Sequence, residues 1–269
     1  MHSKRLIVAA ILVPLMYLYI TRLSPLFFLA LLTLIAVLAQ IEFYSMYNTK
    51  RLISVVGIAG GTVVLAAFPF YSRLAAHQNA SGFFYPVLFM LSFMLIASAR
   101  LFSIKEPVSS LADIAPAVTG FLYIPNLLLT QWYLRLRGYE WILLLYGCVW
   151  SADSLAYYVG KGIGRRKLYK EVSPNKTVEG AFGSVIGGII SAVVLGNLLF
   201  KDIGATAFAA IGCALGVTTI IGDLVESMFK RDAGVKDSGA LIPGHGGVLD
   251  KIDGVLFAGP VLFLMTLCL

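Results

Sequence analysis

Residues 203–231 read IGATAFAAIGCALGVTTIIGDLVESMFKR. The first twenty of these positions carry no charge, which is about the length an α-helix needs to cross the hydrocarbon of a bilayer. The last nine hold Asp223, Glu226, Lys230 and Arg231. An apolar run that turns abruptly polar predicts a membrane-spanning helix whose end leaves the bilayer carrying chemistry. The rest of the chain repeats the apolar theme. Of 269 residues, 59% are hydrophobic and 13% charged, with a mean hydropathy of +0.86. A soluble domain carries roughly 25% charged residues, so a cytosolic globular enzyme is excluded, together with disordered, collagen-like and disulfide-framework classes. Cys148, Cys213 and Cys268 are isolated in apolar stretches and read as buried free thiols.

Nine apolar runs predict an all-α polytopic integral membrane protein with about nine transmembrane helices: 6–20, 25–41, 52–70, 83–99, 111–133, 141–159, 181–200, 203–225 and 248–269. The first, preceded by Lys4 and Arg5, reads as a signal anchor in preference to a cleaved signal peptide. Sorting the 21 Lys and Arg by alternate loops tests the count. Sixteen fall in the N-terminus and the loops 42–51, 100–110, 160–180 and 226–253, and five in the other set. That asymmetry places the N-terminus and both long basic loops in the cytoplasm. Residues 1–140 read as a scaffold of helices, with a possible homodimer surface, and residues 141–269 as the region that carries the chemistry in the loops 160–180 and 226–253. No internal repeat suggests the inverted halves of a transporter.

Asp153 lies eight residues from Lys161, about 12 Å inside the helix end at 1.5 Å per residue. An unpaired charge there costs about 3 kcal/mol, so it either serves a function or makes a helix–helix hydrogen bond. Asp223, Glu226, Ser227 and Lys230 are spaced i, i+3, i+4 and i+7, on one helical stripe. A plain amphipathic helix end would show the same pattern. The glycine-rich loop that follows contains Lys236, Asp237, His245, Gly246 and Gly247 and leads into Asp250 and Asp253. Glycines let backbone N–H groups face an anion, and a helix N-terminus reinforces that. Carboxylates from two helices can hold a hard cation such as Mg²⁺, with Asp223 and Asp250 meeting across the mouth of the loop. His245 alone could equally be a turn residue. Ser173, Lys176, Thr177 and Glu179 combine a hydroxyl, an ammonium and a carboxylate at a helix entrance, which suits phosphate and metal or an ordinary helix cap. Glycine pairs at 183/187 and 212/216 predict close helix packing.

Ser227-x-x-Lys230-Arg231, Lys236-Asp237, His245-Gly-Gly247, Asp250 and Asp253 resemble, over 27 contiguous positions, the signature of the phosphatidate cytidylyltransferase family. Residues 150–157 and the run Ser173-Pro-x-Lys-Thr-x-Glu-Gly180 are similar to further blocks of that family, so the match covers the C-terminal half. The resemblance implies that CTP and phosphatidic acid give CDP-diacylglycerol and pyrophosphate with Mg²⁺, a second cation being left open. Asp223 and Asp250 are the implied metal ligands, with Glu226 and Asp253 next. Asp223, Asp250, Lys230 and His245 form the implied catalytic set. Lys176, Lys230, Arg231 and Lys236 would neutralise phosphates while Gly246 and Gly247 donate to them. Asp153, Ser173, Thr177, Glu179, Ser227 and Asp237 complete the expected substrate contacts. Lys251 stands where the family usually has Arg, keeping the charge without the bidentate fork. The implied setting is a bacterial inner membrane with a cytoplasmic active site and no nucleic-acid partner. A CTP-dependent polyprenol kinase, another lipid-phosphate transferase, or an ion or proton-coupled transporter using Asp113, Asp153 and Asp223 are the alternatives.

Overall fold

A computed structural model of the chain describes residues 16–75, 84–241 and 246–269. Helix α1 is described over 16–22. It is followed by α2 (Pro25–Met46), α3 (Arg51–Ala75), α4 (Phe84–Ser103), α5 (Ser110–Tyr123), α6 (Pro125–Arg137) and α7 (Tyr139–Ile163). Then come strands β1 (Lys167–Tyr169) and β2 (Ser173–Thr177) and helices α8 (Val178–Leu199), α9 (Ala205–Asp232) and α10 (Leu249–Thr266).

Among the described residues six helical stretches are long and apolar enough to cross a membrane. The first of the nine expected runs lies mostly outside the described residues. Of α3, the stretch with described side chains is Arg51–Ala67, and α10 spends three of its 18 residues on Asp250, Lys251 and Asp253. Two further expectations gain detail. The run 111–133 falls within one candidate span, Ser110–Arg137, which is broken at Ile124 into two helices, α5 and α6. Pro125 has no N–H to give to the Phe121 carbonyl four residues back. That carbonyl accepts instead from Asn126 Nδ2 at 2.6 Å. The expected all-α membrane architecture holds: among the described residues the elements are helices, apart from one short antiparallel hairpin, β1–β2, in the loop 160–180.

Packing inverts the pattern of a water-soluble helix. On α8 the large residues Phe182, Ile186, Ile190, Val194 and Leu198 recur every fourth position and are exposed, as a lipid-facing stripe should be. Its buried face is Gly180, Gly183, Ser184, Gly187, Gly188, Ser191 and Gly196 together with Ala192. Lipid gives helices no hydrophobic reason to associate, so close backbone approach supplies the contact. A Cβ on Gly187 would lie 2.6 Å from the Ser151 carbonyl of α7, and one on Gly216 would lie 2.6 Å from the Val185 Cα of α8. Ser184 Oγ donates to the Gly216 carbonyl across the same seam at 3.0 Å. Cys148 is buried in α7 as expected, whereas Cys213 and Cys268 are exposed.

The helix ends that carry charge gather on one side. Tyr47 Oη, just past α2, donates to Asp232 Oδ2 at 3.0 Å. Arg231 Nε donates to the Val172 carbonyl at the hairpin turn at 3.3 Å. These contacts bring the loops 42–51, 160–180 and 226–253 together. They are three members of the set that the charge sorting put on one face.

The seam can be tested directly. A Cβ on Gly212 meets the backbone of Gly188 and, at 2.6 Å, the Ile189 Cα, neither of which can rotate away. The variant Gly212→Ala is expected to lose about 1–3 kcal/mol of stability, measured as a lower thermal unfolding midpoint in detergent.

Candidate active site

The site begins on the last three turns of α9. Its side chains descend one face in the expected order, and Gly222 lets α10 approach so closely that a Cβ there would lie 2.5 Å from the Asp253 carbonyl. Asp253 thereby joins Asp223 and Glu226, and one carboxylate oxygen from each lies within 4.8 Å of the others. Glu226 is fully buried. Its Oε2 pairs with the Lys230 ammonium, and its Oε1 has no hydrogen-bond partner. A buried carboxylate oxygen without a donor, flanked by two further carboxylates, fits a hard divalent cation with oxygen ligands. Ser227 Oγ donates to Asp223 Oδ1 at 3.3 Å, and Lys176 Nζ stands 2.5 Å from Asp223 Oδ2.

Asp250 lies outside this trio. Its Oδ1 accepts from Lys230 Nζ at 2.6 Å. Its Oδ2 accepts from Gly247 N at 2.7 Å, Ser238 Oγ at 3.0 Å and Ser238 N at 3.1 Å. With both oxygens engaged, Asp250 anchors the loop and orients Lys230. Asp250 is not a member of the cluster that joins Asp223, Glu226 and Asp253, and it is linked to Glu226 through Lys230.

A cavity of about 590 Å³ opens beside the trio, between α7, the hairpin, α8 and α9. Asp153, Tyr157, Lys161, Ser173, Lys176 and Asp223 are among its lining residues. The hairpin delivers Lys176 because β2 runs straight into α8. Thr177 caps that helix, its Oγ1 accepting from Gly180 N at 3.1 Å, so the helix-cap reading of Thr177 holds while the residue also lines the cavity. Glu179 accepts from Arg165 N at 3.0 Å and Arg166 N at 3.2 Å; its carboxylate ties the loop to α8. Arg231 is likewise engaged with carbonyls, those of Val172 and, at 3.0 Å, Val235. Lys236, Asp237 and Lys251 are exposed. His245 lies outside the described residues. Gly246 adopts φ +85°, and a Cβ there would lie 2.6 Å from Asp250 Oδ2, so this position needs glycine twice over. Asp113 pairs with Arg100 at 2.7 Å in the first turn of α5, apart from Asp153 and Asp223.

One participant escaped the sequence reading. Glu42, expected in a connecting loop, sits in the last turns of α2 and is 4% exposed. Its Oε1 accepts from Val248 N and its Oε2 from Leu249 N, both at 2.9 Å, and Ser238 Oγ lies 3.1 Å from Oε2. The signal that could have found it is scarcity: Glu42 is the only Asp or Glu among residues 1–105.

A family model described as "Cytidylyltransferase family" matches residues 3–269, and the chain belongs to this family. Among its relatives is a phosphatidate cytidylyltransferase of Synechocystis, 32% identical over 273 aligned positions that cover 90% of this chain and 89% of the relative. One from Staphylococcus haemolyticus is 34% identical over 240 positions, covering 87% of each chain. One from Bacillus subtilis is 44% identical over 133 positions, 49% of each.

The loop tether gives a prediction that does not depend on turnover. Glu179→Gln leaves one acceptor where two backbone donors now converge. Faster deuterium exchange at the amides of residues 165 and 166, read by mass spectrometry, is the expected outcome.

Proposed function

We propose that this chain is a phosphatidate cytidylyltransferase, joining CTP and phosphatidic acid to form CDP-diacylglycerol and pyrophosphate. The observation that carries the reading is the carboxylate trio Asp223, Glu226 and Asp253, bordered by Lys176 and Lys230 and open to a cavity at the edge of the bundle. The family membership and the names of the relatives support the same chemistry.

In this reaction a phosphate oxygen of phosphatidic acid attacks the α-phosphorus of CTP. A new P–O bond forms, the bond to the β-phosphate breaks, and pyrophosphate leaves with that bonding pair. The nucleophile is already largely deprotonated near neutral pH, so no strong base is needed. The protein must bring two polyanions into line and compensate their charge. Asp223, Glu226 and Asp253 are the residues that would hold Mg²⁺. The ion would neutralise phosphate oxygens and stabilise the charge that moves onto the leaving group. Four carboxylates, Asp223, Glu226, Asp250 and Asp253, face two paired ammonium groups, Lys176 and Lys230; one divalent ion balances the remainder. Asp250 holds Lys230 in place and is not assigned to the metal. Lys176, at the cavity wall, can exchange Asp223 for a phosphate, and Lys230 can do the same from the other side. Asp153 and Tyr157 line the side of the cavity on α7, where a lipid headgroup would enter. Lys236 and Lys251, exposed at the loop, are free to meet the triphosphate, and His245 keeps the donor role that the motif implies. The site is assigned to the cytoplasmic face of a bacterial inner membrane, as the distribution of basic residues suggests.

Purified protein given labelled CTP, phosphatidic acid and Mg²⁺ should yield a lipid-soluble cytidine product; its complete absence would sink the proposal. Asp223→Asn and Asp253→Asn are each expected to lower kcat about 100-fold or more. Both should also weaken Mn²⁺ binding, followed by electron paramagnetic resonance without substrate. Unchanged Mn²⁺ affinity in both variants would remove the trio from the metal site.

A further inference from the structure

We infer that Glu42, from the N-terminal half of the chain, is a positioning residue of the transferase site that acts through Ser238 and Asp250 on Lys230. The inference rests on the reading of Lys230 and Asp250 as parts of that site.

Glu42 is a buried carboxylate with no cation within ion-pair distance among the described residues. Its charge is met instead by the start of α10. The first amides of a helix have no intrahelical partner and carry the positive end of its dipole. Here the amides of Val248 and Leu249 point at Glu42, and that of Gly247 points at Asp250. Of the turn expected to cradle phosphate, the Gly247 N–H is thus committed to Asp250, and the two amides that follow it are committed to Glu42.

Two glycines of this loop, Gly239 and Gly247, lie against the same carboxylate. A Cβ on Gly239 would lie 2.8 Å from Glu42 Oε1, and one on Gly247 would lie 2.7 Å from Glu42 Cδ. Glu42 fills the hollow that these residues leave, and the loop closes over it.

The link onward is the Ser238 hydroxyl. Its oxygen is 3.1 Å from Glu42 Oε2 and 3.0 Å from Asp250 Oδ2. A hydroxyl has one proton to donate, so the two carboxylates compete for it. The hold of Asp250 on Lys230 depends on how that competition is settled. Glu42 thus fixes the start of α10 and tunes the partner of Lys230 without touching substrate.

The experiment compares Glu42→Gln, Glu42→Asp, Ser238→Ala and the Glu42→Gln/Ser238→Ala double variant in the CTP and phosphatidic acid assay, with unfolding midpoints measured in detergent. Gln has the same size but turns one acceptor into a donor facing an N–H. Glu42→Gln is expected to lower kcat at least about tenfold, with KM for CTP within about twofold of the parent, because misplacement of a reacting group costs turnover before binding. Glu42→Asp, which keeps both acceptors, should recover more activity than Gln. The double variant should lose less than the product of the two single losses, because both act through one hydroxyl. Parental kcat in Glu42→Gln, or losses that simply multiply, would overturn the inference. If Glu42→Gln does not accumulate as folded protein, Ser238→Ala cuts the same link from the other side, and parental kcat there overturns it equally. Lys230→Met, assayed in parallel, separates this inference from the reading beneath it. Full turnover in Lys230→Met removes Lys230 from the site, whereas a dead Lys230→Met beside a fully active Glu42→Gln removes Glu42 alone.

Discussion

Lys230 pairs with Glu226 on its own helix and, at 2.6 Å, with Asp250 on the next, so a single ammonium charge joins α9 to α10 at the point where both leave the apolar bundle. A buried charge is tolerated only when it is paired and hydrogen-bonded. Much of the geometry of the site follows from meeting that requirement. Lys230 needs Asp250; Asp250 needs the donors of Ser238 and Gly247; those donors fix the loop, and the loop closes over Glu42. On the other side, the carboxylate of Glu226 that Lys230 neutralises is the one that completes the acidic trio. The two halves of the site, metal-holding and loop-holding, share this one cation.

The membrane character of the chain was legible because composition and run length are direct consequences of lipid as a solvent. The grouping of Asp223, Glu226, Ser227 and Lys230 was legible because helical periodicity alone puts them on one stripe. Gly212 and Gly216 announced a close contact for the same reason. What periodicity could not supply was which helix lies opposite. Asp253 enters the trio because Gly222 brings α10 close, and Asp250 is drawn away from it by donors on a loop with no period at all. The break at Ile124 was hinted at by Pro125, yet a hydropathy run does not record a lost hydrogen bond that a side chain repairs. Glu42 was the least legible, since its partners lie about 200 positions away in sequence.

That distance changes how the chain divides. A boundary near residue 140 separates helices with few acids from helices rich in them, and by composition the first group is a scaffold. The contacts tell a less divided story. Glu42 reaches α10, and Tyr47 reaches the end of α9. Phe43 packs its ring 5.4 Å from that of Phe229, which in turn meets Tyr123 of α5 at 5.4 Å. An aromatic cluster and a carboxylate thus lock the helices of the first half against the chemistry of the second.

The β1–β2 hairpin is too short to be stable by its own pairing, and its attachments decide what it can do. Among the described residues it is cross-linked to α9 by Lys176 with Asp223 and by Arg231 with the Val172 carbonyl. The helical anchors are eight residues apart, about 12 Å along the axis. Two contacts that far apart along one helix hold the hairpin in register with α9. Because β2 also runs directly into α8, the hairpin couples the two helices, and the cavity wall that carries Lys176 holds its place only while α8 and α9 keep theirs.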